Sequence, residues 1–362
     1  MLSSVRLRGA IAGFGFIAEK GHLPAYLARP ERFAIVAVAD GCEARRRLAE
    51  KLIPGVRTYA SVAALLDAET GRSGGGLDFI DIATPPSDHA SIAHAAFDRG
   101  LHVFCEKPIA TSAKDAQGML DHAIAARRVF FPSHNYKHAP VVKAVRGLLD
   151  RGVIGEVHLV TLDTFRTTHA KGVSDWLPDW RRMKRYSGGG IAMDHGSHTF
   201  YLAFDWLASY PTAITAHMNH RGAFDTEDNF SCTLQFPTGT VVAQLTWNAG
   251  VRKVQYTLHG ERGAITIEDD DIELSIRGTG AAKPTVEKMS AASNWMDASH
   301  APWFVTLQDE FAHAIAIGDF AGKNAREAFL CVQLIETAYA SSRAGSRLLP
   351  LVSHEEPAAA VG

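Results

Sequence analysis

The sequence predicts an α/β fold in two domains, an N-terminal one built on a parallel sheet and a C-terminal one on a large open, mostly antiparallel sheet. Three observations carry that reading. The chain has 362 residues, more than the roughly 250–300 at which a single hydrophobic core stops growing. From Val5 to Arg127, short runs rich in Val, Ile and Phe alternate with amphipathic helical stretches, as in a parallel sheet covered on both faces. After Phe131 and Pro132 the runs lengthen, alternate in period two and are joined by turn residues, which suits antiparallel pairing. The expected domains are residues 1–133 and 134–362, with the last helices able to pack back on the first domain.

In the first domain, strands are expected at Val5–Ala12, Phe33–Ala39, Leu77–Ala83 and His102–Cys105. Helices are expected at Ala44–Leu52, His89–Arg99 and Ala113–Arg127, with Ser87 and Ser112 as N-caps. Gly71 to Gly76, with four glycines in six residues, reads as a loop. A helix at Pro140–Asp150 then leads to strands at Glu156–Phe165, Thr212–Met218, Phe230–Phe236, Thr240–Trp247, Lys253–His259 and Gly263–Glu268. Helices at Trp303–Ile317 and Ala325–Ser342 close the chain, while Gly278–Pro302 lacks a period and is expected to form a flap. The apolar positions Phe230, Cys232, Leu234, Phe236, Val242, Leu245 and Trp247 predict a sheet face covered in a homodimer or homotetramer.

Composition narrows the function classes. With 46% apolar, 21% charged and 9% aromatic residues the chain reads as globular. Thirty-seven basic against 39 acidic side chains leave a net charge of −2, so no global basic field serves nucleic acid or an anionic membrane. The densest basic stretch, Arg181, Arg182, Lys184 and Arg185, is short. Cys42, Cys105, Cys232 and Cys331 show no paired spacing, which argues against a disulfide framework or zinc ribbon and suits a reducing cytoplasm. The apolar stretch after Arg6 and Arg8 is broken by Gly13 and Gly15 and ends in Glu19 and Lys20, unlike a signal peptide. No apolar run approaches a membrane span, and a soluble cytoplasmic protein is expected.

Three segments carry chemistry. Gly13, Gly15, Phe16, Ile17 and Ala18 follow the first strand and open a helix, and Asp40 closes the second strand 22 residues after Ala18. In that setting the pattern is a dinucleotide fingerprint: Gly13 allows the tight turn, Gly15 lets backbone approach a pyrophosphate, and Asp40 accepts from the adenosine ribose. The acid would repel a 2′-phosphate, favouring NAD over NADP, although Arg45 lies near enough to meet one. Ala83, Thr84, Pro85 and Pro86 end one strand and Glu106, Lys107 and Pro108 another, so both point into the same crevice. The third segment runs Gly188-Gly189-Gly190-Ile191-Ala192-Met193-Asp194-His195-Gly196-Ser197-His198. On a helix Asp194 and His198 share a face, and the carboxylate can orient the imidazole and raise its pKa, making a general base. A helix start with a core histidine is the plainer alternative. His195 with His198, and His134 with His138, have helical metal-ligand spacings among 17 histidines, but no HExxH or cysteine cluster supports a metal and none is assigned.

These segments, in this order from about Val5 to Leu349 and with Gly152-Val153-Ile154-Gly155-Glu156 between them, resemble the glucose–fructose oxidoreductase, inositol dehydrogenase and rhizopine-catabolism (Gfo/Idh/MocA) family. The resemblance implies a Rossmann domain, a C-terminal α/β domain whose sheet often mediates oligomers, and Lys107, Asp194 and His198 as catalytic residues. It places Trp180 and Arg181 near nicotinamide and substrate. Ala18 replaces the commoner third glycine, Lys137 stands where many members have Arg, and Tyr201 where many have Asp.

The expected cofactor residues are Gly13, Gly15, Phe16, Ile17, Ala18, Asp40, Arg45, Ala83, Thr84, Pro85, Pro86, His89, Glu106, Lys107, Trp180 and Arg181. The expected substrate residues are Lys107, Asn135, Tyr136, Lys137, Arg181, Asp194, His195 and His198. The predicted activity is reversible, NAD-dependent oxidation of a secondary hydroxyl on a sugar, inositol or related polyol. Two alternatives use the same residues: a lyase or glycosidase with redox confined to one turnover, and a non-catalytic nucleotide- and sugar-binding regulator.

Overall fold

A computed structural model describes residues 6–71, 76–278, 283–291 and 300–351. Strands β1 (Leu7–Ala12), β2 (Phe33–Ala39), β3 (Arg57–Tyr59), β4 (Phe79–Ile82), β5 (His102–Cys105) and β6 (Phe130–Pro132) form one sheet in the order β3-β2-β1-β4-β5-β6. All five pairings are parallel. The connecting helices are α1 (Leu23–Leu27), α2 (Glu43–Leu52), α3 (Val62–Glu69), α4 (His89–Phe97) and α5 (Ala113–Ala126). Strand order reverses between β1 and β4, which opens the ligand crevice beyond their carboxyl ends.

Local chemistry explains most boundaries. Ser112 caps α5 by accepting from the Asp115 amide at 3.1 Å. Ser87 does not cap α4: a short 3₁₀ turn at Pro86–Asp88 intervenes and Asp88 takes the N-cap position. Strands β3 and β6 have three residues each, too short to show a period in the sequence, and were not expected.

The second sheet has nine strands in the order β14-β13-β12-β11-β7-β10-β9-β8-β15. Helix α6 (Pro140–Asp150) enters it at β7 (Val157–Phe165), followed by α7 (Lys184–Ser187) and α8 (Ile191–Leu207). Then come β8 (Ala213–Asn219), β9 (Asn229–Gln235), β10 (Thr240–Thr246), β11 (Lys253–Gly260), β12 (Gly263–Glu268), β13 (Asp271–Ile276) and β14 (Thr285–Ser290). Helices α9 (Ala301–Ile317) and α10 (Lys323–Arg343) and strand β15 (Leu349–Pro350) finish the described chain. One pairing, β7 with β10, is parallel and the others are antiparallel.

Two expectations need correction here. Strand β14 lies inside the stretch expected to be a flap, because it extends the ladder of β13 from Asp271↔Ser290 to Ile276↔Thr285; residues 279–282 and 292–299 of that stretch lie outside the described residues. The apolar row expected to face another subunit is buried within the chain. Phe230, Cys232, Leu234, Phe236, Leu245 and Trp247 belong to the core beneath α8 and α10, whereas Val242 points to the opposite face.

The last two helices tie the sheets together. Phe304, Leu307 and Phe311 of α9 pack among Tyr26, Phe33, Phe79 and Phe104. On α10, Ala325, Ala328, Phe329 and Val332 enter the core of the parallel sheet, while Cys331, Leu334, Ile335 and Ala338 enter that of the second. Among the described residues no helix is long and apolar enough to cross a membrane.

Candidate active site

The crevice is built by close backbone approaches. Gly13 has φ +86°, and a Cβ there would fall 2.8 Å from the Thr84 nitrogen and 2.9 Å from the Ala83 carbonyl. Its amide donates to the Ala39 carbonyl at 2.8 Å, bringing the turn against the end of β2. A Cβ at Gly15 would meet nothing within 4 Å, so the open space lies on that side of the turn. Asp40 accepts from the amides of Phe14 and Cys42, each at 2.7 Å, and keeps the remaining lone pairs of a half-buried carboxylate. The Thr84 hydroxyl is buried without a partner. An open glycine turn, an acid at the end of β2 and an unpaired hydroxyl at the end of β4 fit a dinucleotide. Phe16 is exposed at the rim, Ile17 half-buried and Ala18 buried.

Two residues expected to touch the cofactor, Arg45 and His89, serve as braces. Arg45 is buried, donating to the Phe14 carbonyl at 2.7 Å and to Glu19 at 2.6 Å, so it does not present a cation to a 2′-phosphate. Arg46 is likewise spent on the carbonyls of Asp40 and Gly41. His89 bridges the two strand-end loops, its ring nitrogens 2.8 Å from the Thr84 carbonyl and 3.0 Å from that of Pro108; burial holds its pKa down. Pro85 and Pro86 carry that loop into its 3₁₀ turn.

Glu106 sits in a buried network that sequence reading missed. A π-helical turn at Ala18–His22 directs His22 fully inside, where Nδ1 lies 2.9 Å from Asp81 and Nε2 3.1 Å from Glu106. Ser133 also donates to Glu106, at 2.6 Å, and the other Glu106 oxygen accepts the Lys107 amide at 3.2 Å. Burial opposes the charge on His22, but the two carboxylates win and raise its pKa to about 10. The imidazolium is therefore a fixed cation directly behind Lys107.

The glycine run before α8 is equally constrained. A Cβ on Gly189 would lie 1.9 Å from the Tyr339 hydroxyl, and one on Gly190 1.9 Å from the Glu227 carbonyl. Glu227 accepts from the amides of Gly190 and Ala192, both at 2.9 Å, and from Tyr339 at 2.8 Å, satisfying donors that a helix start leaves open. Glu227 and Tyr339 are remote in sequence, and no local signal marks them.

The start of α8 meets Lys107. Its Nζ donates to the Asp194 carbonyl at 2.9 Å and lies 3.5 Å from the Asp194 carboxylate. Arg181, stacked on Trp180 at 4.3 Å, donates to the same carboxylate at 3.2 Å, and His195 is 3.7 Å away. Burial alone would raise the Asp194 pKa, yet the cations of Lys107 and Arg181 hold it well below the usual range. His195 is kept neutral, its pKa pushed down to about 3 chiefly by burial.

His198 departs from expectation. Its Nδ1 lies 2.6 Å from the Tyr201 hydroxyl, which also accepts the Tyr136 amide at 3.2 Å, and the Tyr136 ring stacks on the imidazole at 3.8 Å. Asp194 thus orients Lys107 and Arg181, while Tyr201 orients His198. Burial, reinforced by the charge of Lys107, drives the His198 pKa well below its ordinary value rather than raising it. Asn135 is buried beside this stack. Lys137 turns away to pair with Glu327 on α10 at 2.5 Å and so braces the site from behind. His134 stacks on Tyr201 and His138 faces Glu310. Among the described residues no group of His, Cys, Asp and Glu has the geometry of a metal site.

A nucleotide crevice that opens onto a lysine, a carboxylate and a neutral imidazole contributed by the second sheet is the plan of a dinucleotide-dependent oxidoreductase. Residues 7–134 match the family model described as an oxidoreductase family with NAD-binding Rossmann fold, and residues 142–266 match the GFO/IDH/MocA C-terminal domain. The chain belongs to the GFO/IDH/MocA family and is an NAD-binding oxidoreductase. It is 27% identical to D-apiose dehydrogenase of Paraburkholderia graminis over 98% of this chain and 92% of that one. Identity to inositol 2-dehydrogenase of Rhizobium meliloti is 29%, covering 69% and 73% of the two chains. The solved structure of levoglucosan dehydrogenase in complex with NADH superposes with a TM-score of 0.83 at 19% identity, covering 96% and 100%.

Proposed function

We propose that the protein reversibly oxidises a secondary hydroxyl of a sugar, inositol or related polyol, with Lys107, Asp194 and His198 forming the proton-handling site. The observation that carries this reading is the placement of Lys107 Nζ 2.9 Å from the start of α8, which sets the crevice and His198's helix edge to edge. A bound nicotinamide dinucleotide supplies the hydride acceptor or donor. Lys107 directs its positive charge at the substrate oxygen, stabilising alkoxide character in oxidation and polarising a carbonyl in reduction. His198, held neutral, takes the hydroxyl proton on Nε2, which is the free base in the tautomer that carries its proton on Nδ1 toward Tyr201. Asp194 keeps Lys107 and Arg181 in position.

Relatives named for apiose, inositol and levoglucosan support a polyhydroxylated substrate. Recording NADH formation and products across a sugar and polyol panel tests the reading. Stoichiometric NADH and ketone are expected; a product formed without net NADH would instead confine the redox step to one turnover.

NAD is the preferred dinucleotide on this reading, because Asp40 closes β2 while Arg45 and Arg46 are tied to backbone carbonyls. Asp40→Ser should weaken NAD binding and narrow the preference, as read by titration with both dinucleotides; tighter binding of NADPH by the unaltered protein would contradict it.

Self-association is proposed through the sheet face opposite α8. There Thr215, Thr233, Val242, Thr161, Thr257 and Thr266 are in register across six strands, all half-exposed and all β-branched. Such a flat, small-residue row favours sheet-to-sheet packing. Light scattering at micromolar concentration should give a multiple of the single-chain mass, and the mass of one chain would reject the proposal.

A further inference from the structure

Two arginines stand opposite each other where β7 and β11 approach the site. The antiparallel ladder pairs Phe165 with Lys253 and Thr164 with Val254, so the next rung places Arg166 opposite Arg252. Strand β7 is still held at this rung from its β10 side, where the Arg166 amide donates to the Thr246 carbonyl at 2.8 Å and the Arg166 carbonyl accepts from the Ala249 amide at 3.0 Å. Alternation puts both side chains on the face of Leu162, Thr164, Val254 and Tyr256, the buried face toward α8, and puts Asp163 on the other. Both arginines are half-buried.

Like charges directly opposite on neighbouring strands are destabilising. The charge of Arg252 is partly answered by Asp269. That of Arg166 is not: its Nε is buried without a hydrogen-bond partner, and its guanidinium has no ion pair among the described residues. The pair borders the proposed reaction centre. Arg166 is close enough for its charge to bear on His195, and Arg252 on Tyr136, the ring stacked against His198. Asp194, the acid at that centre, is already held by Lys107 and Arg181.

We infer that Arg166, backed by Arg252, is an anion subsite, and that the substrate is a sugar acid whose carboxylate docks there while a hydroxyl of the same molecule faces Lys107 and His198. This rests on the dehydrogenase reading above and narrows its substrate class. The guanidinium is a planar fork of donors that matches a carboxylate in bidentate fashion, and a partly buried one that lacks an internal partner is preorganised for it. The bound anion would also relieve the repulsion between the two arginines.

The test is calorimetric titration of the NADH-loaded protein with matched pairs, D-glucuronate against D-glucose and D-galacturonate against D-galactose, with D-glucose 6-phosphate as the phosphate arm. At least one acid should bind ten-fold or more tighter than its neutral partner, as expected for a charge-assisted contact. Arg166→Gln should erase that advantage, and Arg252→Gln should reduce it. Because it removes like-charge repulsion, Arg166→Gln should melt no lower than the parent without ligand. Equal binding of acids and neutral sugars, an acid advantage that survives Arg166→Gln, preference for the phosphate ester, or a marked loss of melting temperature in Arg166→Gln would each overturn the inference. If acids bind through Arg166 but no compound is oxidised, the subsite stands and the dehydrogenase reading fails.

Discussion

Lys107→Ala and His198→Ala should each lower kcat on the true substrate by roughly 10²–10⁴, the range for losing an oxyanion-directed donor or general acid–base help. The two should differ in what else they change. His198 sits on α8, away from the glycine turn, so NAD affinity should hardly move in His198→Ala. In Lys107→Ala it should fall, because the substitution removes the ammonium that ties the end of β5 at the crevice to the start of α8. The pH profile gives an independent sign. His198 must be neutral to accept a proton, and burial places its pKa well below 6.5, so the acidic limb of kcat/KM should lie below that of a free imidazole. That limb should vanish in His198→Ala. If turnover stays near normal and the limb does not move, the histidine is structural and the base is His195 or Lys107.

The second large effect is on stability. His22 is the only cation contacting Asp81 and Glu106 through hydrogen bonds among the described residues, and His22 and Asp81 are fully buried. His22→Gln would remove the one cation that bonds to both carboxylates, leaving only the nearby charge of Lys107 to act on Glu106, and should cost roughly 3–5 kcal/mol, the scale for breaking a buried ion pair from one side. The pH dependence follows from the direction of the shift. The folded pKa, about 10, lies above the ordinary 6.5, so the stabilisation is complete below the lower value and is lost as pH rises through the higher. Denaturant titrations near pH 6 and pH 9.5 should therefore show a large gap between parent and variant that narrows at the alkaline end. A gap that is small at both, or constant, would mean that His22 is buried neutral.

What the sequence disclosed followed from how local each feature is. Gly13, Gly15 and Asp40 belong to one strand–helix–strand unit, where turn, helix start and acid must keep fixed spacing, and they are legible as a set. Lys107, Asp194 and His198 could be picked out singly. Most of their partners could not, because Glu227, Tyr339 and Asp81 reach the site by packing, whereas Tyr201 lies one turn from His198 on the same helix. The direction of the His198 shift is not legible for a related reason: the sequence shows a carboxylate one turn away and both tyrosines, but not that the rings close on the imidazole and bury it. For Arg45, His89 and Lys137 the sequence shows a basic side chain near the crevice but not that each is bonded to a carbonyl or carboxylate behind it.

The union of α9 and α10 with the N-terminal sheet bears on how the chain matures on the ribosome. Phe79 and Phe104 emerge early, yet the helix face that covers them, Phe304 to Phe311, is made some two hundred residues later. At about 5–20 residues per second the delay is roughly 10–40 s. For that interval the nascent Rossmann half carries an aromatic flank open to solvent, a binding surface for chaperones and a site of misassembly between neighbouring nascent chains. A C-terminal truncation before α9 would make that exposure permanent, so the first domain cut out at its sequence boundary is expected to be a poor stand-alone nucleotide-binding module.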